Sequence, residues 1–292
     1  MIGNLLNKLK KPENGNGKVI SLLNQKGGVG KTTMAFNAAH ALANNGHSVL
    51  CIDMDPQANL SLLFGIDSSD LEFNVYNLLI NSVRELKALH SPVLFSDVIK
   101  PSGTNSNIDI LPAGQELSGF ELSIAGISSP RQMILKKFID KNQLKNSYDY
   151  IVIDGPPTLG LLVVNILCAS QGVLVPFQPD QFSRKGLNHF HTIIEDVEDM
   201  GITETPKIIG YIPNLVDARR KQAGEDFEKI RLDLDLGRSR IFEPFNNKVQ
   251  LVKSSAQRKS VFDFQSKEFQ ELQGQFKSIA NAIDEELSGS TH

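Results

Sequence analysis

A glycine-rich stretch with two lysines and two threonines contains the residue types most suited to chemistry. It reads Lys26-Gly27-Gly28-Val29-Gly30-Lys31-Thr32-Thr33. Its glycines let the backbone turn tightly and approach a ligand without a Cβ in the way, so several N–H groups can point at one phosphate chain. Lys31 would supply a point charge for the β- and γ-phosphates, and the Thr32 hydroxyl can bind Mg²⁺. The stretch predicts a nucleotide-phosphate loop, with a chance glycine turn as the alternative.

A strand and a helix are needed to position such a loop. The run Lys18-Val19-Ile20-Ser21-Leu22-Leu23 is short, apolar and rich in strand formers. Met34 to Asn45 is rich in Ala and Leu and contains neither Pro nor Gly, and Gly46 is placed to end it. A loop that enters a helix N-terminus adds the positive end of the helix to its N–H groups. These flanks argue against the chance turn.

Two further apolar runs end in carboxylates. Ser48 to Ile52 leads into Asp53-Met54-Asp55-Pro56-Gln57, and the run that starts at Tyr148 leads into Asp154. Open α/β sheets hold their ligands at the carboxyl edge of the strands, where these groups would lie. A single carboxylate there can hold Mg²⁺ through water. Aspartates are also common turn and cap residues, which is the alternative for each.

The rest of the chain alternates between strand and helix patterns. This alternation predicts an α/β fold with a doubly wound, mostly parallel sheet and helices on both faces. Residues 18–292 would form one domain that ends in a helix, after a tail and linker at 1–17. Strands are predicted at Ile108–Pro112, Gly172–Phe177 and Lys207–Ile212, and helices at Val75–Leu89, Pro130–Asp140, Ser183–Met200 and Phe264–Leu287.

The composition is that of an ordinary soluble globular chain. The 292 residues are 40% hydrophobic and 22% charged, enough for a full core. A net charge of −3 gives no global attraction to nucleic acid, so any DNA binding must come from a local patch. Cys51 and Cys168 lie in apolar surroundings without metal-ligand spacing, which predicts buried, reduced thiols. No run is long enough to span a membrane, and no signal-peptide core is visible.

The first 17 residues differ from the rest. Ile2, Leu5, Leu6 and Leu9 fall on one helical face beside several lysines, and a linker begins at Pro12. The segment could bind a membrane surface or a partner. We favour a tail that packs on its own domain or frays.

The pattern Lys-Gly-Gly-Val-Gly-Lys-Thr-Thr resembles the deviant Walker A box of the ParA/MinD family of ATPases, and the chain is most similar to Soj-like ParA partition ATPases. The resemblance implies that Lys26 reaches across a dimer interface to the partner's nucleotide; a solvated lysine is the alternative. By the same resemblance, Asp55 orients the attacking water and Asp53 supports the Mg²⁺ shell. Asp154, followed by Pro156-Pro157, resembles the family's Walker B element.

The resemblance implies a complete set of site residues. Catalytic roles fall to Lys26, Lys31 and Asp55, and metal binding to Thr32, Asp53 and Asp154. Nucleotide binding falls to Lys26, Gly27, Gly28, Val29, Gly30, Lys31, Thr32, Thr33, Asn214 and Pro244.

Two of these residues would recognise adenine in the wider family. Asn214 follows one strand and Pro244 follows the next predicted one. An Asn amide carries the donor and the acceptor that the adenine edge needs. Simple turn chemistry is the alternative for both.

ParA-type proteins bind non-specific double-stranded DNA through basic residues in the C-terminal third. A plain solvated surface is the alternative, and the match to the family is uncertain by about two residues between Phe245 and Ala256. Arg258 stands where glycine is common in the family. The candidates are Arg219, Arg220, Lys221, Lys248, Lys253, Arg258 and Lys259.

The function implied by the resemblance is that of a cytoplasmic partition ATPase that uses ATP and Mg²⁺. ATP would drive a sandwich homodimer that binds DNA on the nucleoid, and a ParB-like or cargo adaptor protein would stimulate slow hydrolysis. Its cargo would be a plasmid, a chromosome origin or a protein assembly.

A MinD-like membrane-associated ATPase is the alternative, but the acidic end Asp284-Glu285-Glu286 argues against membrane binding. A nitrogenase-type reductase needs two interface cysteines, which Cys51 and Cys168 do not provide.

Overall fold

A seven-stranded sheet forms the centre of the molecule, in the strand order β3-β4-β2-β5-β1-β6-β7. The computed structural model describes residues 16–216, 221–236, 239–246 and 249–288. Every strand pair is parallel except β3–β4. This confirms the predicted doubly wound, mostly parallel sheet. The strands are β1 (Lys18–Leu22), β2 (Val49–Asp53), β3 (Lys100–Pro101), β4 (Ile108–Leu111), β5 (Tyr150–Asp154), β6 (Gly172–Phe177) and β7 (Lys207–Pro213).

Helices cover both faces of this sheet, and short 3-10 turns connect several of them. The helices are α1 (Lys31–Asn44), α2 (Asn59–Leu63), α3 (Val75–Ser82), α4 (Phe95–Val98), α5 (Phe120–Ser123), α6 (Ile134–Lys141), α7 (Leu161–Ala169), α8 (Ser183–Asp199), α9 (Lys221–Leu236), α10 (Val249–Ala256) and α11 (Gln270–Ser288).

Two apolar layers explain why the strands are nearly continuous hydrophobic runs. On one face, α1 and α11 pack together over the sheet. On the other, α3, α6, α7 and α8 enclose the second layer. Strands covered on both sides need apolar side chains at every position, so all five residues of β2 and of β5 are buried.

The cysteine prediction is confirmed. Cys51 on β2 and Cys168 on α7 are free and buried. Burial in apolar surroundings raises the pKa of the Cys51 thiol well above its usual value, so it stays protonated.

Several predicted helices have wrong ends. The helix predicted at 75–89 stops at Ser82 because Val83 is already extended (φ −80°, ψ 119°). The helix predicted from Pro130 starts as a 3-10 turn, Arg131–Met133, and becomes α-helical at Ile134.

The last helix begins at Gln270, six residues later than predicted. Phe264 is extended (φ −110°, ψ 130°), and two 3-10 turns, Val261–Asp263 and Lys267–Phe269, occupy the approach to the helix. Ser260 caps the first of these turns by accepting a bond from the Phe262 N–H at 3.2 Å. Local capping therefore replaces the first predicted helical turns.

The linker enters the sheet through a glycine. Gly17 donates its N–H to the Lys145 carbonyl at 2.8 Å. A Cβ at this position would lie 2.0 Å from the carbonyl oxygen of Tyr148, so a side chain would have to displace the backbone. The predicted tail helix at residues 2–9 lies outside the described residues. Within the described part of the chain, no helix has the length and hydropathy needed to cross a bilayer.

Candidate functional site

The glycine-rich stretch forms the loop between β1 and α1, as predicted. Gly28 and Gly30 have φ of 75° and 90°, values that residues with a Cβ rarely adopt. Gly30 is constrained a second time, because a Cβ there would lie 2.3 Å from the Nδ2 atom of Asn214. Gly27 and Gly28 are exposed, whereas Val29 is buried beneath the loop. The open side of the loop is thus lined by backbone.

Asn24 anchors the start of the loop. Its Nδ2 donates to the Pro176 carbonyl on β6 at 2.7 Å, and its Oδ1 accepts from the Lys26 N–H at 2.9 Å. We did not predict this role from sequence. The available signal was position, because Asn24 is the first polar residue after the apolar run of β1.

Lys31 is the first residue of α1 and only 6% exposed. Its Nζ lies 3.4 Å from the Lys26 carbonyl oxygen. Burial lowers the pKa of Lys31, and the carboxylates Asp154 and Asp55 act in the opposite direction. The ammonium group therefore lies close to Asp154 at the end of β5 and to Asp55 just after β2.

Asp154 ends β5 and is completely buried. Neither of its carboxylate oxygens has a hydrogen-bond partner among the described residues. Its pKa is raised well above the usual value by burial and by the neighbouring Asp53, whereas the Lys31 ammonium and the nearby Thr32 hydroxyl, which approaches the carboxylate without meeting hydrogen-bond geometry, act the other way. A buried carboxylate without donors is costly unless a cation or a donor compensates it, so Asp154 with Thr32 fits a metal ion.

Asp53 lies directly beside Asp154 in the β2–β5 register but has a different environment. It accepts bonds from the Asp55 N–H at 3.1 Å and from the N–H and hydroxyl of Ser61 at 2.8 and 2.7 Å. Burial raises its pKa to about 6 despite these bonds. Asp53 therefore shapes the turn that carries Asp55, and its support of a Mg²⁺ shell stays a prediction.

Asp55 follows β2 and is 7% exposed. Its Oδ1 accepts from the Gln57 N–H at 3.0 Å, and the Asp55 carbonyl accepts from the Ala58 N–H at 2.9 Å. These bonds fix the carboxylate in a tight turn. Since Asp55 acts on the pKa of both Lys31 and Asp154, it lies close to both of them.

Lys26, the second lysine of the loop, forms an ion pair with Asp180 in the same chain. Both side chains are about one-third exposed, at 36% and 31%. Burial opposes the shift, but Lys26 and Ser183 hold the pKa of Asp180 below its usual value. Our sequence analysis missed Asp180. Its position three residues after β6, at the carboxyl edge of the sheet, was the available signal.

Asn214, which directly follows β7, lies against the glycine loop. It is 2% exposed, and its Nδ2 donates to the Val29 carbonyl at 2.8 Å. Its Oδ1 is buried and has no partner among the described residues, so one acceptor is left for an adenine edge. Pro244 is half-buried, and its carbonyl accepts from Gln275 Nε2 at 3.1 Å. Adenine recognition by this pair stays a prediction.

The helix behind the loop is tied to the C-terminal segment through Asn37, which is fully buried on α1. Its Nδ2 donates to the Thr33 carbonyl at 2.9 Å. Its Oδ1 accepts from the Val261 N–H at 2.9 Å and from the Ser260 hydroxyl at 3.2 Å. One side chain thus joins the first turn of α1 to residues more than 200 positions away.

Only some of the basic candidates lie within the described residues. Arg219, Arg220 and Lys248 lie outside the described residues, and Lys221 is the first residue of α9. Lys253 on α10 lies 3.6 Å from Glu268 and 5.9 Å from the ring centroids of Phe264 and Phe269.

Arg258 and Lys259 are exposed where α10 ends. The Lys259 N–H bonds to the Ser254 carbonyl at 2.9 Å, and the Arg258 N–H bonds to the Ser255 carbonyl at 3.0 Å. This bond pair forms a Schellman cap, whose central residue usually is glycine. Arg258 adopts the required left-handed conformation with φ of 53°. A cation therefore occupies a position at which glycine would be less strained.

The amino-acid sequence of this chain is similar to those of known proteins. The family described as "AAA domain" matches residues 17–206. The sporulation initiation inhibitor protein Soj of Bacillus subtilis is 35% identical over 215 residues, 74% of this chain and 79% of Soj. The chromosome partitioning protein ParA of Myxococcus xanthus is 34% identical over 216 residues, 74% of this chain and 71% of that protein.

A solved structure is also similar to this chain over most of its length. Cobyrinic acid a,c-diamide synthase from Mycobacterium smegmatis, solved with an ATP analogue and magnesium, superposes with a TM-score of 0.71. The two chains are 26% identical, and the match covers 91% of this chain and 94% of the synthase.

Proposed function

The chain belongs to the ParA/MinD family of deviant Walker A ATPases, and on this premise we propose that it is a partition ATPase whose ATP-bound dimer binds DNA. The observation that carries the proposal is the buried Asp154, unpartnered among the described residues, beside Lys31 and a glycine loop that begins with a second lysine. Its cofactors are ATP and Mg²⁺.

The loop residues provide what a triphosphate with Mg²⁺ requires. The backbone N–H groups between Gly27 and Thr33 would bind the phosphates, with Lys31 as their counter-charge. Thr32 and Asp154 would hold the metal ion. When bound, Mg²⁺ neutralises charge on the phosphate oxygens.

The chain's own groups then act on the attacking water. Asp55 is held in a turn near Lys31, and a carboxylate at that position can accept a hydrogen bond from water and orient it. Asp53 holds that turn through the Asp55 N–H. Phosphoryl transfer depends on such positioning and on charge stabilisation. We propose that a partner protein completes the arrangement and stimulates slow hydrolysis.

Lys26 would take part in dimer formation. Its ion pair with Asp180 keeps it within its own subunit, where a carboxylate is its counter-charge. The phosphates of a nucleotide in a facing subunit carry more charge than one carboxylate, so Lys26 would exchange Asp180 for them. ATP would thereby favour the dimer.

We expect Lys26→Ala to remain monomeric under conditions in which ATP with Mg²⁺ doubles the mass of the wild-type protein. Removing the ammonium group removes the proposed bond across the interface but leaves Lys31 in place. Light scattering with and without nucleotide measures the mass. Lys185→Ala, an exposed lysine on α8, is the matched control and should dimerise normally. Normal dimerisation of Lys26→Ala would exclude the role across the interface.

The chain has a net charge of −3, so it has no overall attraction to DNA. DNA binding would therefore come from a local patch, the basic residues around α9 and α10. Arg258 and Lys259 are exposed together at the end of α10. A two-fold dimer doubles whatever part of this surface faces one side. A monomer with half the contacts would hold DNA far more weakly, so ATP can switch binding without touching DNA. ATP-bound protein would then sit on the nucleoid and position its cargo.

We expect the ATP-bound protein to shift unrelated DNA duplexes equally in gels, and the ADP-bound and nucleotide-free forms to shift them weakly. If a dimer neutralises about six phosphates, log K should fall with log salt at a slope near −5, about a thousandfold between roughly 50 and 200 mM salt. Arg258→Glu with Lys259→Glu should abolish the shift. Lys277→Glu, an exposed control on α11, should not. Equal shifts in all nucleotide states, or binding to one sequence only, would contradict the mechanism.

The alternative membrane role lacks support from α11. Phe276, Ile279 and Ile283 on this helix are buried in the core and do not form a free apolar face. Near its end, Glu285 and Glu286 pair with Arg240 at 3.1 and 3.4 Å. An acidic helix end is repelled by anionic lipid.

A further inference from the structure

The backbone and the side chain of Lys26 have different surroundings. Its carbonyl oxygen lies 3.4 Å from the Nζ atom of Lys31, and its N–H donates to Asn24 Oδ1 at 2.9 Å, so the backbone is fixed within the glycine loop. The ammonium group instead turns to Asp180, which lies three residues after β6. The direction of the Lys26 side chain is therefore set by a carboxylate outside the loop.

Asp180 uses its two carboxylate oxygens for different partners. Oδ1 accepts from the N–H groups of Phe182 and Ser183 and from the Ser183 hydroxyl, each at 3.0 Å. Oδ2 accepts from the Lys26 ammonium group. The bonds to Oδ1 fix the carboxylate at the start of α8, so it does not have to be ordered when the ion pair forms. Asp180 is thus a prepared acceptor for Lys26.

A second contact joins the loop to α8 beside this ion pair. The Oε1 atom of Gln25 lies 3.0 Å from His189 Nδ1 on α8. Two consecutive loop residues, Gln25 and Lys26, therefore contact the segment 180–189. Gly27, the next residue, is exposed. The segment 180–189 thus holds the first part of the loop within its own subunit.

The bond that the proposed dimer requires competes with this ion pair. In that dimer, Lys26 leaves Asp180 and reaches the phosphates bound by the facing subunit. Only the molecules in which Lys26 has left Asp180 are competent to form this contact. The apparent dissociation constant of the dimer rises as that fraction falls. A two-fold dimer breaks two such pairs, one in each subunit, so the effect enters twice.

We propose that Asp180 is an inhibitory counter-ion, which retains Lys26 in the monomer and raises the protein concentration needed for ATP-dependent dimerisation. This inference rests on the dimer proposed above and names its regulation. Both side chains of the pair are partly exposed, and one such pair changes an equilibrium by a factor of roughly two to five. Two pairs would then raise the dissociation constant of the dimer by about tenfold.

Asp180→Asn in the full chain tests this proposal. The amide keeps an oxygen for the Phe182 and Ser183 N–H groups and presents no negative charge to Lys26. Light scattering with ATP and Mg²⁺ over a range of protein concentrations measures the dissociation constant of the dimer. We expect a value about tenfold lower than that of the wild-type protein. An unchanged or higher value would overturn the inhibitory role.

Asp233→Asn is the matched control. It removes a different ion pair of α8, in which Arg184 Nη2 donates to Asp233 Oδ1 at 3.1 Å. The dissociation constant should stay at the wild-type value. An equal decrease in Asp233→Asn and Asp180→Asn would show that any lost carboxylate favours the dimer, and would overturn the specific role of Asp180.

Chemical labelling measures the ion pair in the nucleotide-free protein. Limited acetylation followed by mass spectrometry gives the reactivity of Lys26 relative to that of Lys185, an exposed lysine on α8. An ammonium group that is paired with a carboxylate is shielded from the reagent, so Lys26 should react about two- to fivefold faster in Asp180→Asn. Equal reactivity of Lys26 in the variant and the wild-type protein would overturn the proposal.

The two measurements separate this inference from the proposed function. If ATP dimerised neither the wild-type protein nor Asp180→Asn, the proposed dimer itself would be wrong. A dimer that requires Lys26 but has the same dissociation constant in Asp180→Asn would overturn only the role of Asp180.

Discussion

Asp154→Asn is expected to lower Mg²⁺-dependent ATP hydrolysis by about a hundredfold or more, since a catalytic metal supplies several kcal/mol. The same change should make the nucleotide-free protein more stable. Asp154 is fully buried, and both its oxygens lack partners among the described residues, so an ionised carboxylate there is costly. Asparagine keeps the shape and removes that cost. Phosphate release and thermal unfolding measure the two effects.

The direction of the Asp154 pKa shift predicts how the stability gain of Asp154→Asn depends on pH. The folded protein raises the pKa of Asp154, so ionisation of this group opposes folding. The cost is absent below the unfolded pKa of about 4 and grows as the pH rises above it. The stability gain of Asp154→Asn over the wild-type protein should therefore be larger at pH 8 than at pH 5.

Asp109→Asn is the matched control. Asp109 is a buried carboxylate on β4 that accepts a bond from the Tyr148 hydroxyl at 2.8 Å, away from the loop. Its replacement should leave Mg²⁺-dependent hydrolysis intact. Full hydrolysis by Asp154→Asn would rule out the metal role, and a loss of stability would mean that the carboxylate has a stabilising partner.

Asp55→Ala is expected to bind ATP and to dimerise. Its rate of ATP hydrolysis should fall by about a hundredfold or more, because the variant loses the group that positions water. The glycine loop and Lys31 remain intact, so nucleotide affinity should change little. Fluorescent nucleotide titration, light scattering and phosphate release measure the three properties separately. Asp70→Ala, an exposed control, should retain all of them.

The wild-type rate is part of the same test. Without a stimulating partner, we expect turnover well below the usual kinase range of roughly 1–100 s⁻¹. Fast turnover by the protein alone would count against a partition role. Loss of ATP binding in Asp55→Ala would assign this residue to the binding step.

The centre of the fold could be predicted because it is locally encoded. β1, β2 and β5 are buried on both faces, so each is a short apolar run. Asp53 and Asp154 mark two of the strand ends, and parallel strands bring their carboxyl ends to one edge. The two-residue β3 has no such signal.

Contacts between distant residues could not be predicted in the same way. Lys26 and Asp180 are 154 positions apart, and Asn214 lies 185 positions from Val29. Nothing in the local sequence of Lys26 shows which carboxylate will be beside it. The helix ends depended on caps such as Ser260, whose partners only the packed chain defines.

The hydrogen bonds of Asn37 connect the helix behind the phosphate loop to the C-terminal segment. The side chain holds the Thr33 carbonyl with one atom and the Val261 N–H with the other. Val261 is three residues from Arg258, so a displacement of α1 at the phosphate loop would pull directly on the segment next to the exposed cations. The connection runs along the face of the sheet that α1 and α11 cover, so the phosphate loop and the exposed cations share one layer of the molecule.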